Sequence, residues 1–133
     1  MPQMLIHHVA LVTRDLDRAV AFYEEVFGLV RLERPPFATK GVWFACGAQQ
    51  VHIIEYEPGS FRAAGVDVND GHFAFHTDDF EGMVDKLRSL GFSEDAGPDD
   101  PRRIVVNRNS LAGFAQVYLL DPDRNIIEIN AAP

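Results

Sequence analysis

Hydrophobic and polar positions near the N-terminus follow two patterns in succession, a strand-like run and then a helical one. Residues 5–12 form a short run rich in β-branched side chains, which is typical of a strand. Asp15 follows as a candidate N-cap, and apolar residues then recur at intervals of three and four as far as Phe27. Gly28 is typical of a helix C-terminus, so the pattern predicts a helix over residues 16–27.

Three apolar runs without helical spacing follow this helix. They cover residues 29–33, 41–46 and 50–56, and turn-forming Pro-Pro-Phe and Gly-Ala-Gln segments separate them. We interpret them as three strands. A polar, turn-rich connector over about residues 58–70 comes next. The first half, about residues 4–57, is thus predicted to be a βαβββ module.

The same order of elements begins again after the connector. Residues 71–77 predict a strand, Asp78 or Asp79 caps a helix with apolar residues from Phe80 to Leu90, and Gly91 ends it. Strands are expected over residues 114–120 and 125–130, with a further candidate over 102–107 inside a long loop spanning 97–113. Such internal repetition indicates duplicated structure. We predict an α+β fold of two tandem βαβββ modules, with module two over about residues 71–130 and one domain over 1–133.

Composition narrows the choice of partners. The chain has 133 residues, of which 47% are hydrophobic and 24% charged, as in an ordinary globular domain. Its formal charge of -8 repels nucleic-acid phosphates and anionic lipid, so we expect neither as a partner. Cys46 is the only cysteine, which excludes an intrachain disulfide and a thiol-rich zinc site. No signal sequence or long apolar run is present, so we expect a cytoplasmic protein.

Each predicted module begins with a histidine in its first strand and carries a glutamate in its last strand. The pairs are His8 with Glu55 and His72 with Glu128. Because side chains alternate along a strand, these residues can share one face while bulkier apolar neighbours pack under the helices. A carboxylate among apolar residues is costly unless it is paired or bound to a metal. Two imidazoles and two carboxylates therefore predict a site for one divalent cation.

Other histidines compete with this set. His7 and His52 are expected on the faces opposite His8 and Glu55, where they would be core-edge or hydrogen-bonding residues. A slip of one residue in the fourth strand would bring His52 to the inner face in place of Glu55, and this alternative stays open.

Two further residue groups are candidates for contact with a substrate. His76 lies two positions after His72 and shares its face, so it could contact substrate or orient a ligand. Arg102, Arg103 and Arg108 lie in the long loop of the second half, where Arg108 could hold an anionic substrate. Alternatively, these arginines balance nearby aspartates on a solvated loop.

The motifs resemble the vicinal oxygen chelate superfamily. The resemblance rests on the run at residues 7–29, on the restart Gly-His-Phe-Ala and on the close Asp-Pro-Asp-Arg-Asn-Ile-Ile-Glu-Ile. The family includes glyoxalase I, fosfomycin-resistance enzymes, extradiol dioxygenases and bleomycin-binding proteins. Membership implies that the paired modules curl into an open, U-shaped, barrel-like sheet with the helices outside, around one divalent ion (Zn, Ni, Co, Mn or Fe). It also implies a homodimer.

The resemblance assigns roles to individual residues. His8, His72 and Glu128 match the three shared metal ligands, and Glu55 matches the fourth ligand of the glyoxalase-like branch. Glu55 or Glu128 would also serve as the catalytic base. Tyr118 matches a tyrosine that approaches substrate in fosfomycin enzymes.

The expected function is that of a metal-dependent glyoxalase-like lyase or isomerase. Its small substrate would be chelated through adjacent oxygens, with the metal stabilising the resulting enolate. The alternatives are an extradiol-type dioxygenase, a fosfomycin-type thiol transferase and a non-catalytic drug- or metabolite-binding protein. Val12 stands where glutathione-using bacterial glyoxalases usually have arginine, which argues against a glutathione hemithioacetal. Arg124 replaces the usual glycine of the Asp-Pro-Asp-Gly turn.

Overall fold

Each half of the chain folds in the order strand, helix and three further strands. The computed structural model describes residues 1–133, and the chain divides into two compact units, Met1–Ser60 and Phe61–Pro133. The first unit contains β1 (His8–Thr13), α1 (Leu16–Phe27), β2 (Val30–Leu32), β3 (Gly41–Cys46) and β4 (Gln49–Glu55). The second contains β5 (His72–His76), α2 (Phe80–Ser89), β6 (Val105–Asn107), β7 (Gln116–Leu120) and β8 (Ile126–Asn130).

The two units have the same sheet topology. The strand orders are β1-β4-β3-β2 and β5-β8-β7-β6, and in each sheet the first strand runs parallel to its neighbour while the other pairs are antiparallel. Each sheet is open and has two edge strands. The predicted α+β class with tandem βαβββ modules is therefore confirmed. The arrangement of both sheets as one U-shaped domain stays a prediction.

Local sequence signals account for the limits of both helices. The side chain of Asp15 accepts from Arg18 N at 3.1 Å, and Gly28 ends α1 with a φ of +63°, where a side chain would be strained. Asp79 caps α2 by accepting from Gly82 N at 3.0 Å, which decides between the two predicted caps. No helix is long and apolar enough to cross a membrane.

Burial and helix packing separate the two faces of the first sheet. In the first unit α1 packs against β3 and β4, where Phe44, Val51 and Ile53 are buried. The odd-numbered residues of β1 and β4 therefore face the helix, and the even-numbered ones face away from it. In the second unit both faces of β7 and β8 are buried, with Val117, Leu119 and Ile127 on one face and Tyr118, Glu128 and Asn130 on the other. The faces turned away from the helices carry most of the polar residues discussed below.

Within the second unit, the connector residues Ala64 and Gly65 lie close to the loop at Pro98 and Asp99. Arg124 has a left-handed φ of +66°, which costs a non-glycine residue about 1 kcal/mol. Its Nη1 donates to the carbonyls of Ala64 at 3.0 Å and Asp99 at 3.1 Å. Gly65 lies beside Pro98 and donates from its backbone to Asp99 Oδ1 at 3.3 Å. Arg124 therefore adopts the backbone conformation that is usual for glycine in this turn. Its guanidinium connects the connector at Ala64 to the loop at Asp99.

Candidate functional site

The centre of the candidate site in the second unit is the carboxylate of Glu128. Its strand, β8, lies between β5 and β7, so Glu128 pairs with Ala74 on one side and Tyr118 on the other. Only 6% of the residue is exposed. Since Ala74 is small, the imidazole of His72 can reach across it, and His72 Nε2 lies 3.2 Å from Glu128 Oε1. The predicted histidine and glutamate of module two are in direct contact.

Hydrogen bonds hold Glu128 in its ionised form. Burial alone would raise its pKa, but hydrogen bonds from Asn130, Tyr118, His72 and Gln116 outweigh burial and leave the pKa below its ordinary value. Asn130 Nδ2 lies 2.6 Å from Oε2, and Gln116 Nε2 lies 3.4 Å from the same oxygen. The amide groups therefore occupy Oε2, and Oε1 points toward His72.

Tyr118 completes this network. Burial, together with its hydrogen bond to Glu128 and the charge of that carboxylate, raises the pKa of Tyr118 to about 12. The phenol is therefore neutral at physiological pH and donates its proton to the carboxylate. Its ring meets His72 edge-on, with the centroids 5.4 Å apart.

The orientation of His72 fits a metal ligand. Its Nδ1 lies 2.7 Å from the carbonyl oxygen of Asp70, and a carbonyl only accepts, so Nδ1 carries the proton. Nε2 can then contact Glu128 Oε1 in two ways: it donates a hydrogen bond when the ring carries a second proton, or its lone pair binds a cation that takes the place of that proton. Two ligands about 2.1 Å from one zinc-sized ion lie about 3.0–3.4 Å apart. The observed 3.2 Å separation fits that geometry.

The first unit presents a stack of aromatic rings on its helix-free face. His8 and His52 stack with centroids 4.0 Å apart, and Trp43 covers the other side of His52 at 4.2 Å. His52 is buried, and its pKa is lowered by burial and by the nearby charges of His8, His7 and Arg34. Its Nε2 lies 2.8 Å from the side-chain oxygen of Gln50, which leaves Nδ1 with the lone pair. His52 is thus a neutral imidazole beside His8.

The prediction that Glu55 shares the face of His8 is wrong. Glu55 pairs with Thr13, and its Oε2 accepts from the backbone N of Leu16 at 3.0 Å, so the carboxylate lies at the N-terminus of α1. A carboxylate is favoured there because the first turn of a helix has free N–H groups. His52 lies on the face opposite Glu55, as expected, and this is the face of His8, so the alternative in which His52 replaces Glu55 on that face is the one observed.

The strand register shows why the repeat was misaligned. Ala10 pairs with His52 in the first sheet, and Ala74 pairs with Glu128 in the second. His52 is therefore the structural counterpart of Glu128. The sequence has Ile53-Ile54-Glu55 and Ile126-Ile127-Glu128, and this likeness favours an equivalence of Glu55 with Glu128 that the strand register does not support. Within neither unit do three His, Cys, Asp or Glu side chains converge on one point.

Comparison with known proteins places this geometry in a family. The model of the glyoxalase/bleomycin resistance protein/dioxygenase superfamily matches residues 5–129. The chain belongs to this superfamily. A lactoylglutathione lyase of Arabidopsis thaliana is 28% identical over 129 residues, which cover 92% of this chain and only 42% of that protein.

Solved structures of the superfamily resemble this chain along almost its whole length. The lactoylglutathione lyase of Agrobacterium tumefaciens matches with a TM-score of 0.69 and 26% identity, covering 99% of this chain and 96% of that one. The fosfomycin resistance protein FosX of Listeria monocytogenes, in complex with manganese(II) and a dihydroxypropylphosphonic acid, matches with a TM-score of 0.73 and 17% identity. That match covers 100% of this chain and 95% of FosX. The FosX match shows likeness of fold.

The remaining predicted site residues of this superfamily member lie in different surroundings. Tyr118 contacts both His72 and Glu128, as described above. His76 is exposed at the far end of β5, in an open depression with Asp78, Asp79 and Glu81. Arg108 donates to both carboxylate oxygens of Glu81 at 2.6 and 3.1 Å, so its charge is already paired on the surface. The pairing supports the solvated-loop alternative for Arg108 over substrate binding.

Sequence reasoning assigned no role to several residues that orient the site. Asn130 lies two positions after Glu128 and so on the same face of β8, and its contact with Oε2 gives it a positioning role. Gln116, in β7, also contacts Oε2 and helps to position the carboxylate. The carbonyl of Asp70, which fixes the tautomer of His72, belongs to the backbone of the connector and has no sequence signal.

Proposed function

We propose that this superfamily member is a metal-dependent lyase or isomerase of the glyoxalase type. Its substrate is a small molecule that presents two adjacent oxygens. The observation that carries the proposal is the pairing of His72 Nε2 with Glu128 Oε1, each oriented by its own hydrogen bonds. Such fixed, outer-shell hydrogen bonds are typical of metal ligands.

The first unit contributes the other half of the proposed metal site. His8 is its exposed imidazole, and Nδ1 of His8 contacts Nδ1 of His7 at 2.9 Å, which leaves Nε2 of His8 for the ion. We assign the fourth position to His52 in place of Glu55. The proposal holds whether the two halves come from one chain or from both chains of the homodimer that the family resemblance implies.

This change of fourth ligand alters the expected metal preference. Three imidazoles and one carboxylate form a more nitrogen-rich site than two of each. Imidazole suits zinc, iron and nickel, whereas carboxylate oxygens suit magnesium and manganese. We therefore expect zinc, nickel or iron to bind more tightly than manganese.

The residues of the second unit have separate tasks in the proposed reaction. A divalent ion at this place would polarise the two substrate oxygens as a Lewis acid. Glu128 is ionised at neutral pH. Its Oε1 would hold the ion when no substrate is bound, and would leave the ion to accept the proton from the substrate carbon and return it to the neighbouring position. Tyr118 keeps its own proton and stabilises the carboxylate by donating to it. Asn130 holds Oε2, so that only Oε1 can approach the substrate.

Turnover of hemithioacetals tests the proposal. Metal-loaded protein mixed with methylglyoxal and glutathione or a smaller thiol should form a thioester, and Glu128→Gln should lower kcat by at least about a hundredfold, since general-base catalysis contributes about 10²–10⁴. Because the pKa of Glu128 is lowered, activity should persist on the acidic side and fall only as the pH drops through that value. Full activity of Glu128→Gln would contradict the assignment, and absence of turnover with every thiol would contradict the reaction type.

A second candidate function is fosfomycin modification. It is favoured by the contact of Tyr118 with the His72–Glu128 pair, because the family resemblance places a substrate-contacting tyrosine here. Metal-dependent opening of fosfomycin by a thiol or water, with loss in Tyr118→Phe, would select this function. Oxygen uptake with iron and a catechol would select the dioxygenase, and metal-independent ligand binding without turnover would select a sequestering protein.

A pair of variants in β4 distinguishes the proposed fourth ligand from the one predicted by sequence. His52→Ala should weaken zinc binding by at least about tenfold, since the loss of groups around a metal typically costs 10–100-fold. Glu55→Gln should leave zinc affinity unchanged and lower stability by only about 0.3–1 kcal/mol, because the amide oxygen still accepts from Leu16 N and only the negative charge at the N-terminus of α1 is lost. Competition titration against a zinc chelator and thermal melting are the measurements. The opposite pattern of affinities would restore Glu55 as the ligand.

A further inference from the structure

The helix-free face of the first unit carries an unusual number of accessible apolar side chains. Val30 and Leu32 of β2 pair with Ala45 and Trp43, so they lie on the face of Trp43 and His52. Val30 is 69% exposed and Leu32 is 37% exposed. Phe37, in the loop between β2 and β3, is 54% exposed and lies 6.1 Å from the ring of Trp43. These side chains form an apolar surface next to the His8–His52 stack.

Arg34 places a positive charge at the margin of this surface. Its Nη1 and Nη2 donate to the carbonyl and hydroxyl oxygens of Thr39 at 2.9 and 3.2 Å, and Cζ lies 4.9 Å from the centroid of Phe37. The guanidinium lies against Gly41, where a Cβ would approach Cζ to 2.8 Å. Glycine at this position is therefore required for Arg34 to lie where it does.

The guanidinium has unused binding capacity. It has five N–H donors, and Thr39 accepts from two of its nitrogens. Nε is buried and has no acceptor, and Arg34 forms no ion pair with a carboxylate. A half-buried cation without a counter-ion is costly, whereas a charge-assisted hydrogen bond to an oxyanion removes that cost. The other arginine at this end of the sheet, Arg31, is already paired with Glu24.

We propose that the apolar surface of the first unit and Arg34 together bind the substrate, and that the substrate is a small carboxylate with an apolar body. The carboxylate contacts Arg34, and the apolar body lies on Val30, Leu32, Trp43 and Phe37. This assignment to substrate rests on the proposed function, because the ring stack leads from Phe37 through Trp43 and His52 to the proposed ligand His8. The Phe37 ring that lies over the guanidinium is half-exposed, and side chains of this kind change rotamer rapidly.

Trp43 gives a direct readout because it is the only tryptophan of the chain. Metal-free protein is titrated with 3-phenylpropionate and with its neutral amide, 3-phenylpropionamide, while the emission of Trp43 is followed. We expect a saturable change with the carboxylate and binding at least about tenfold weaker with the amide, the ratio expected for loss of one charged hydrogen bond. Arg34→Met should remove this preference, and Arg34→Lys should restore part of it.

Arg31→Met is the matched control, since it removes a positive charge from the neighbouring strand without touching the apolar surface. It should bind the carboxylate as the native protein does. Equal binding of acid and amide, or an unchanged preference in Arg34→Met with native far-UV circular dichroism, would overturn the proposal. Emission that depends on protein concentration and not on ligand would assign the surface to a second copy of the chain and would also overturn it.

The design separates this proposal from the metal site. Carboxylate binding in metal-free protein, combined with failure to bind any divalent ion, would refute the proposed function and leave Arg34 as an anion-binding residue. Metal binding without a preference for the carboxylate would support the proposed metal site and refute the role of Arg34 in binding substrate.

Discussion

His72→Ala should abolish stoichiometric metal binding. The native protein, purified without chelators and dialysed against excess zinc or nickel, should retain about one ion for each complete site. Removal of an outer-shell hydrogen bond costs 10–100-fold in metal affinity, so removal of the ligand itself should cost at least about a hundredfold. The imidazole also contacts Glu128 Oε1, so the variant removes one ligand and releases the other. Elemental analysis and chelator competition measure the loss.

His76→Ala is the control for this prediction. It removes an exposed imidazole from the same strand, β5, and this imidazole makes no hydrogen bond to Glu128. Its metal content should equal that of the native protein. Glu128→Gln, which preserves the shape of the side chain, is a second test in case His72→Ala alters the sheet. Native metal content in both His72→Ala and Glu128→Gln would refute the proposed site.

Gly65→Ala should be strongly destabilising. A Cβ at this position would lie 1.9 Å from the carbonyl oxygen of Pro98 and 3.0 Å from Asp99 Cα. Both atoms belong to the backbone, so no side-chain rotation relieves the clash, and the connector must leave the loop on which it lies. Overpacking of this kind costs about 1–3 kcal/mol, and the lost contacts of Arg124 with Ala64 and Asp99 should bring the effect to the upper end.

Thermal or urea unfolding measures this effect. With about 3 kcal/mol lost, the midpoint temperature should fall by about 10 °C for a chain of this length. Gly97→Ala is the matched control, because a Cβ there meets no atom within 4 Å and its φ is not in the left-handed region. Its stability should change by less than about 0.5 kcal/mol. Equal stability of the two alanine variants would show that the connector does not rest on the loop at Pro98.

Signals that act within one element were sufficient to predict most of the fold. Asp15 and Gly28 mark the ends of α1 because capping depends on residues a few positions apart. Strand alternation likewise placed Asn130 beside Glu128, and the repeated strand-helix-strand order gave the fold class. These features require no knowledge of which strands pair.

Features that depend on strand pairing were predicted poorly. The sequence shows Glu55 and His52 three positions apart, and only the register of β4 against β1 decides which of them lies beside His8. Similar letters around Glu55 and Glu128 favoured the wrong one. The surface pairing of Arg108 with Glu81, from a loop to a distant helix, also has no local signal. The position of Arg34, on which its proposed role rests, also had no sequence signal, because it depends on the close approach permitted by Gly41.

Anomalous diffraction from crystals loaded with zinc or nickel tests the central claim most directly. We predict one strong peak within coordinating distance of both His72 Nε2 and Glu128 Oε1, with His8 and His52 completing the set and Glu55 still on Leu16 N. A peak at any other group of side chains, with His72 and Glu128 left in direct contact, would contradict it.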